Sequence, residues 1–240
     1  MCVQMDVILP QRARPSDAKY PSLYLLHGMS DDHTIWQRRT SIERYVEGKD
    51  LAVIMPCTHL GWYTDMHRGG KYWSYISEEL PAICADFFPN ISQRREDTYA
   101  AGLSMGGYGA LKLGLRASGK FSKIAALSGG LDPLRIFREA GEDSDFAPLL
   151  SNIFGPADKA VGGMNDLFAS ASELKDSGSE LTKIYMWCGF EDFLYGDNVA
   201  MRDHLTKLGY PLTYEESPGD HQWKYWDEKI QTVLEWIFAE

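Results

Sequence analysis

The sequence predicts an α/β chain built on a mostly parallel central sheet with helices on both faces. Three observations carry that prediction. Short apolar runs of four to six residues alternate with amphipathic stretches of helical length. The runs are apolar at nearly every position, as in strands covered on both sides. No internal repeat and no Pro/Ser-rich linker divides the 240 residues, so they read as one domain, 1–240.

Taken in order, Val3, Met5, Val7 and Leu9 alternate imperfectly with their neighbours and stop at Pro10, the pattern of an edge strand. Buried strands follow at Leu23–Leu26, Leu51–Met55, Thr98–Gly102, Ile124–Leu127 and Ile184–Trp187, each bounded by Gly, Pro, Ser or charge. The last, Leu212–Glu215, is more polar and is expected near the sheet edge. Between them the i, i+3, i+4 spacing of apolar residues predicts helices over 35–47, 73–88, 105–117, 197–208 and 222–238. In the last of these Trp226, Ile230, Val233, Leu234 and Ile237 share one face. From Leu131 to Leu181 no strand pattern appears, and a segment rich in Gly, Ser and Asp is expected to form a cap-like insertion over the end of the sheet.

Composition narrows the function. Asp plus Glu number 34 against 24 Lys plus Arg, a net charge of −10, which gives no basic face for nucleic acid. No run of eighteen apolar residues exists, so no membrane-spanning helix is expected. Cys2, Cys57, Cys84 and Cys188 are too scattered for a disulfide framework or a metal knuckle. With no signal-peptide pattern at the N-terminus, the expected compartment is the reducing cytoplasm.

The most informative residues are Gly102-Leu103-Ser104-Met105-Gly106, a G-x-S-x-G motif between a predicted strand and a predicted helix. A tight strand-to-helix turn exposes the hydroxyl of Ser104, and a Cβ two residues before or after it would clash. The helix N-terminus beneath offers N–H groups to a developing oxyanion.

A serine hydroxyl needs a base, and the base needs an orienting group. His27, His33, His59, His67, His204 and His221 compete. His221 lies in the loop between the last strand and the last helix, where ligands bind at the carboxyl ends of strands, and is the chosen base. The acid follows the strand at 184–188, where Glu191 and Asp192 stand side by side. Asp192 is preferred because Phe193 and Leu194 suit a half-buried carboxylate, and Asp197 is the outside candidate. The order Ser, acid, His is that of the α/β-hydrolases. The loop after the first buried strand, His27-Gly28-Met29, is the expected second source of oxyanion donors, so the backbone N–H groups of Met29 and Met105 are assigned that role and His27 a structural one. Aromatic residues at strand ends, Trp36, Trp62, Tyr63 and Trp223 together with Phe190 and Phe193, are the candidate walls of a substrate pocket.

The stretches LYLLHGMSDDHTIW, ELPAICADFFPNISQRREDTYAAGLSMGGYGALKL, CGFEDFLYGDN and GDHQWKYWDEKI resemble the esterase D / tributyrin esterase family of α/β-hydrolases, from about Tyr20 to the C-terminus. Relatives in that family include S-formylglutathione hydrolases, feruloyl and acetyl-xylan esterases, and mycolyltransferases. The resemblance implies Ser104 as nucleophile, Asp192 as acid and His221 as base, with no metal or organic cofactor. The family usually has a further strand before the one at 3–9, so the resemblance implies either a sheet one strand short of the family pattern or a truncated gene start. The oxyanion loop differs from that of the S-formylglutathione hydrolase branch, which points away from glutathione thioesters. The expected activity is therefore hydrolysis of short acyl esters of small molecules by an acyl-enzyme route, with a feruloyl/acetyl-xylan-type esterase or an S-formylglutathione-type thioesterase as the alternative and acyl transfer to an alcohol as the alternative of another class. The expected partner is the ester substrate, with no nucleic acid and no membrane; a homodimer is compatible with the sequence, although no interface is specified.

Overall fold

A computed structural model describes residues 2–11, 18–135, 146–156 and 160–239. In chain order the elements are β1 (Met5–Ile8), β2 (Ser22–Leu26), α1 (Ile35–Arg39), α2 (Ile42–Tyr45), β3 (Ala52–Pro56) and α3 (Tyr72–Ser74). A π turn (Tyr75–Glu79) leads into α4 (Leu80–Phe87), followed by β4 (Thr98–Leu103), α5 (Met105–Arg116) and β5 (Lys123–Leu127). Then come α6 (Ala147–Phe154), α7 (Leu167–Asp176), β6 (Lys183–Gly189), α8 (Tyr195–Leu208), β7 (Leu212–Ser217) and α9 (Trp223–Phe238).

The strands form one sheet in the order β1-β3-β2-β4-β5-β6-β7. Among the described strands only β1 runs antiparallel, with Met5 opposite Pro56 and Ile8 opposite Val53. The other pairs are parallel. Among the described residues the sheet thus has seven strands, with β1 and the polar β7 at its edges as their sequences predict.

The period-two geometry of a strand divides the apolar runs between two cores. Tyr24, Leu26, Ile54, Ala100, Ala126 and Met186 face the side covered by α4, α5, α7 and α8. Leu23, Leu25, Val53, Ala101, Leu127 and Trp187 face the side covered by α1, α2 and the apolar stripe of α9. Both faces are therefore buried.

Two helices depart from the sequence pattern. The stretch 35–47 is not one helix, because Thr40 takes an extended conformation between α1 and α2. Its hydroxyl donates to the Trp36 carbonyl and accepts from the Ile42 N–H, replacing helical bonds with local ones. In 73–88 the helix contains the π turn, closed by the Leu80 N–H on the Tyr75 carbonyl. Pro81 has no N–H to offer the Ser77 carbonyl, which accepts from Lys120 Nζ instead at 2.7 Å.

Of the stretch 131–181, residues 136–145 and 157–159 lie outside the described residues. The rest divides by position. α6 is tied to the 66–70 loop by the His67 and Arg68 N–H groups on the Ile153 and Asn152 carbonyls. α7, capped by the Asp166 carboxylate, packs against α5 and α8 as part of the helical layer.

Candidate active site

The strand order reverses between β2 and β4: the chain leaves β2 for β3 on one side, then returns across the sheet to β4 on the other. Such a switch point opens a crevice at the carboxyl ends of the strands. The loops after β2, β4, β5, β6 and β7 meet there.

Ser104 occupies the turn from β4 into α5 with φ 51° and ψ −119°, a strained conformation for any side chain. The turn closes tightly. A Cβ on Gly102 would lie 2.4 Å from the Gly106 carbonyl oxygen, and one on Gly106 would lie 2.4 Å from the Leu26 carbonyl oxygen. Only glycine fits at either place, which is the physical content of the motif. The strain is held by hydrogen bonds: the Ser104 N–H donates to the Leu127 carbonyl, and the Gly130 and Tyr108 N–H groups donate to the Ser104 carbonyl.

His221 Nε2 lies 3.1 Å from Ser104 Oγ. On the other side of the ring, Nδ1 lies 2.8 and 3.1 Å from the two carboxylate oxygens of Asp192. A carboxylate only accepts, so Nδ1 carries the hydrogen and Nε2 is left as an acceptor toward Ser104. The ring is held between Phe193, 4.6 Å away between centroids, and Trp226, 4.8 Å away and perpendicular. The Asp192 side chain is fully buried and also accepts from the Leu194 N–H. Leu194 is buried as the sequence suggests, whereas Phe193 is exposed and covers the histidine.

The rejected acids have other tasks. Glu191 turns away from the ring and accepts from the Gly219 N–H at 2.6 Å, while its own N–H donates to the Gly219 carbonyl. It thereby grips the loop two residues before His221. Asp197 is buried and ion-paired with Arg135.

His27 does not join the serine. Buried beside the site, it accepts from the Thr58 N–H at Nε2 and donates from Nδ1 to the Gly28 carbonyl. Burial pushes its pKa down to about 4, against the weaker opposite pull of the Gly28 carbonyl. The ring stays neutral and pins the loop that carries Met29. No backbone acceptor among the described residues takes the N–H of Met29 or of Met105, the first residue of α5.

A cavity of about 240 Å³ opens beside Ser104, lined by Met29, Trp62, Gly130, Pro133, Phe146, Leu149, Leu150, Phe193 and Leu194. No charged side chain lines it among the described residues. Of the six aromatic residues named from sequence as candidate walls, Trp62 and Phe193 line it. Trp36 is fully buried in the α1/α9 core, donating to the Leu26 carbonyl. Trp223 stacks edge-on against Trp36 and Trp226 on that same side of the sheet. Tyr63 is fully buried behind Trp62, with its hydroxyl on the His27 carbonyl. Phe190 packs on Tyr195. The aliphatic wall from α6, Leu149 and Leu150, went unpredicted; its only signal was an apolar cluster inside a segment without strand pattern. A larger cleft, about 620 Å³, lies between β1 and α2 and holds none of these residues.

Residues 2–237 match a family model described as putative esterase. An acetyl esterase of Caldicellulosiruptor saccharolyticus is 33% identical over 223 residues, which span 90% of this chain and 82% of that protein. The fluorophosphonate-binding serine hydrolase F of Staphylococcus aureus, solved with substrate bound, superposes with a TM-score of 0.89 at 33% identity, covering 98% of this chain and 92% of the other. The apoenzyme of an S-formylglutathione hydrolase from Staphylococcus aureus gives a TM-score of 0.87 at 34% identity, with 99% and 93% covered. The fold is that of the α/β-hydrolases.

Proposed function

The chain belongs to the esterase family, and from that premise we propose that it is a serine carboxylesterase hydrolysing short-chain acyl esters through an acyl-enzyme on Ser104. The observation that carries the reading is the hydrogen-bonded chain Ser104–His221–Asp192 standing at the mouth of a cavity whose described lining is apolar. His221 takes the Ser104 proton as Oγ attacks the ester carbonyl carbon. Asp192 keeps the ring in the tautomer that accepts at Nε2 and balances the imidazolium that forms. The N–H groups of Met29 and Met105 receive the oxyanion, a contribution of about 3 kcal/mol per donor in comparable sites. His221 then protonates the departing alcohol, and a water deprotonated by His221 attacks the acyl carbonyl and restores Ser104.

The cavity is the acyl pocket in this reading, and its apolar lining suits a hydrocarbon chain. A second reading, hydrolysis of an acyl thioester, is favoured by the likeness to the S-formylglutathione hydrolase. The thiol leaving group would lie outside the cavity, so the same acyl pocket serves both. The free thiols of Cys57, Cys84 and Cys188, all buried, support a reducing and hence cytoplasmic setting. Hydrolysis of p-nitrophenyl acetate, butyrate and octanoate beside an acyl thioester, with a serine-directed phosphonate, tests both readings. Ser104→Ala is expected to lower kcat by roughly 10⁴-fold or more with the fold intact. Wild-type-like turnover in that variant would refute the mechanism.

A further inference from the structure

Behind the Trp62 wall lies a cation that the hydrolytic chemistry does not use. Lys112, two helical turns beyond Ser104 on α5, is fully buried. Its Nζ donates to the Tyr63 carbonyl at 3.2 Å, to Thr64 Oγ1 at 2.9 Å and to Asn165 Oδ1 at 2.7 Å. The Thr64 hydroxyl spends its own hydrogen on the Trp62 carbonyl at 3.0 Å, so toward Lys112 it accepts. Three acceptors thus meet the three hydrogens of an ammonium. The faces of Trp73 and Tyr108 stand 4.9 and 5.6 Å from Nζ. Burial and Arg116 press its pKa down to about 7, while Asp65 pulls the other way. A core lysine held under that pressure calls for a reason.

The segment it grips supplies one. Trp62 and Tyr63 both sit in the left-handed region, at φ 48° and 49°, a rare conformation for two successive aromatic residues. Lys112 binds the carbonyl of the second directly and that of the first through Thr64. Trp62 in turn fills the space between Tyr108, Phe154 and Gly130, and presents its indole to the cavity beside Ser104.

We propose that Lys112 is a specificity-determining positioning residue: as a buried three-way clamp it holds the left-handed Trp62–Tyr63 turn, and through it the depth of the acyl pocket. This rests on the esterase reading of the same site. Released from the clamp, the turn relaxes, Trp62 withdraws and longer acyl chains gain.

The test compares wild type, Lys112→Met, Thr64→Val and Trp62→Ala with p-nitrophenyl acetate, butyrate, hexanoate and octanoate. A fluorophosphonate titration counts intact sites in each. The expected result is a rise of about tenfold in the hexanoate-to-acetate ratio of kcat/KM in Lys112→Met, expressed mainly in KM for the longer ester. Thr64→Val is expected to move the same ratio in the same direction by a smaller factor, and it carries the test alone if Lys112→Met fails to fold. Trp62→Ala added to Lys112→Met is expected to shift the profile no further than Trp62→Ala alone. An equal loss for every chain length, or shifts that multiply independently, would overturn the proposal and leave Lys112 a core residue only. A wild type that hydrolyses none of the esters and takes no phosphonate would instead refute the esterase reading.

Discussion

Acidification is expected to weaken the fold through His27, and the size of the effect follows from its surroundings. The ring is buried and neutral, with Nε2 occupied by the Thr58 N–H and Nδ1–H by the Gly28 carbonyl. Its folded pKa of about 4 compares with 6.5 in the unfolded chain. Between those values the unfolded state binds a proton that the folded state refuses, so stability is fully present above 6.5 and falls as pH drops toward 4. From pH 7.5 to pH 5 the loss is about 2 kcal/mol, or roughly 4–8 °C in Tm for a chain of this size. Asp31, raised by burial, gains on acidification, while Asp32, lowered by the Thr34 hydroxyl, loses. The clean quantity is therefore the difference between wild type and His27→Gln, which keeps an acceptor for Thr58 and removes the titration. The variant is expected to be about 1 kcal/mol less stable at pH 7.5, from the lost bond to Gly28, yet to overtake wild type near pH 5. Urea unfolding at pH 7.5, 6.5, 5.5 and 5 reads the crossing. Parallel pH slopes in the two proteins would refute the reasoning.

The remaining predictions concern the site. Asp192→Asn is expected to lower kcat by roughly 10³–10⁴-fold, since the amide selects the wrong histidine tautomer. Asp197→Asn should instead cost stability by about 1–3 kcal/mol and keep kcat within the same order of magnitude; the reverse pattern would move the acid to Asp197. Gly106→Ala places a Cβ against two backbone carbonyls and is expected to cost about 3 kcal/mol or more, read as a fall in Tm of at least about 6 °C. Glu191→Ala frees the Gly219 N–H and loosens the loop before His221. An approximately fivefold fall in kcat at unchanged KM is expected, with most of it recovered in Glu191→Gln, which can still accept that hydrogen.

The site was readable wherever the backbone itself restricts the residue type. The turn at Ser104 admits only glycine two positions away on either side, so its geometry is written into five consecutive letters. The two cores were readable for a similar reason: a strand buried on both faces has no polar position to spare, and β2 through β6 show it. The proposed acid was half readable. Glu191 and Asp192 follow the same strand and differ by one methylene, but on a tight turn neighbouring side chains leave in opposite directions. One reaches His221 and the other Gly219, and composition does not encode which. The helix at 35–47 misled for a related reason, because Thr40 offers local hydrogen bonds that compete with helical ones at little cost to the apolar pattern.

The pocket wall was the least readable part, and strain explains why. Aromatic letters at strand ends look alike, yet Trp36 and Trp223 became core while Trp62 became wall. What sets Trp62 apart is a left-handed backbone, which nothing in the residue types of Trp62 or Tyr63 favours. A positive φ recurs at Ser104 and Ser128, again at strand ends around the crevice. Each of these strained turns is fastened from behind by buried groups: Ser104 by the Leu127 carbonyl, Ser128 by the Trp187 carbonyl and the Trp226 indole, and the Trp62–Tyr63 pair by His27, Lys112 and Thr64. Conformations that local preference opposes persist only where the surrounding structure over-determines them. In this reading the side chains that shape the crevice are chosen by distant partners across the fold, so selectivity comes from a rigid wall whose specification is spread over the whole chain.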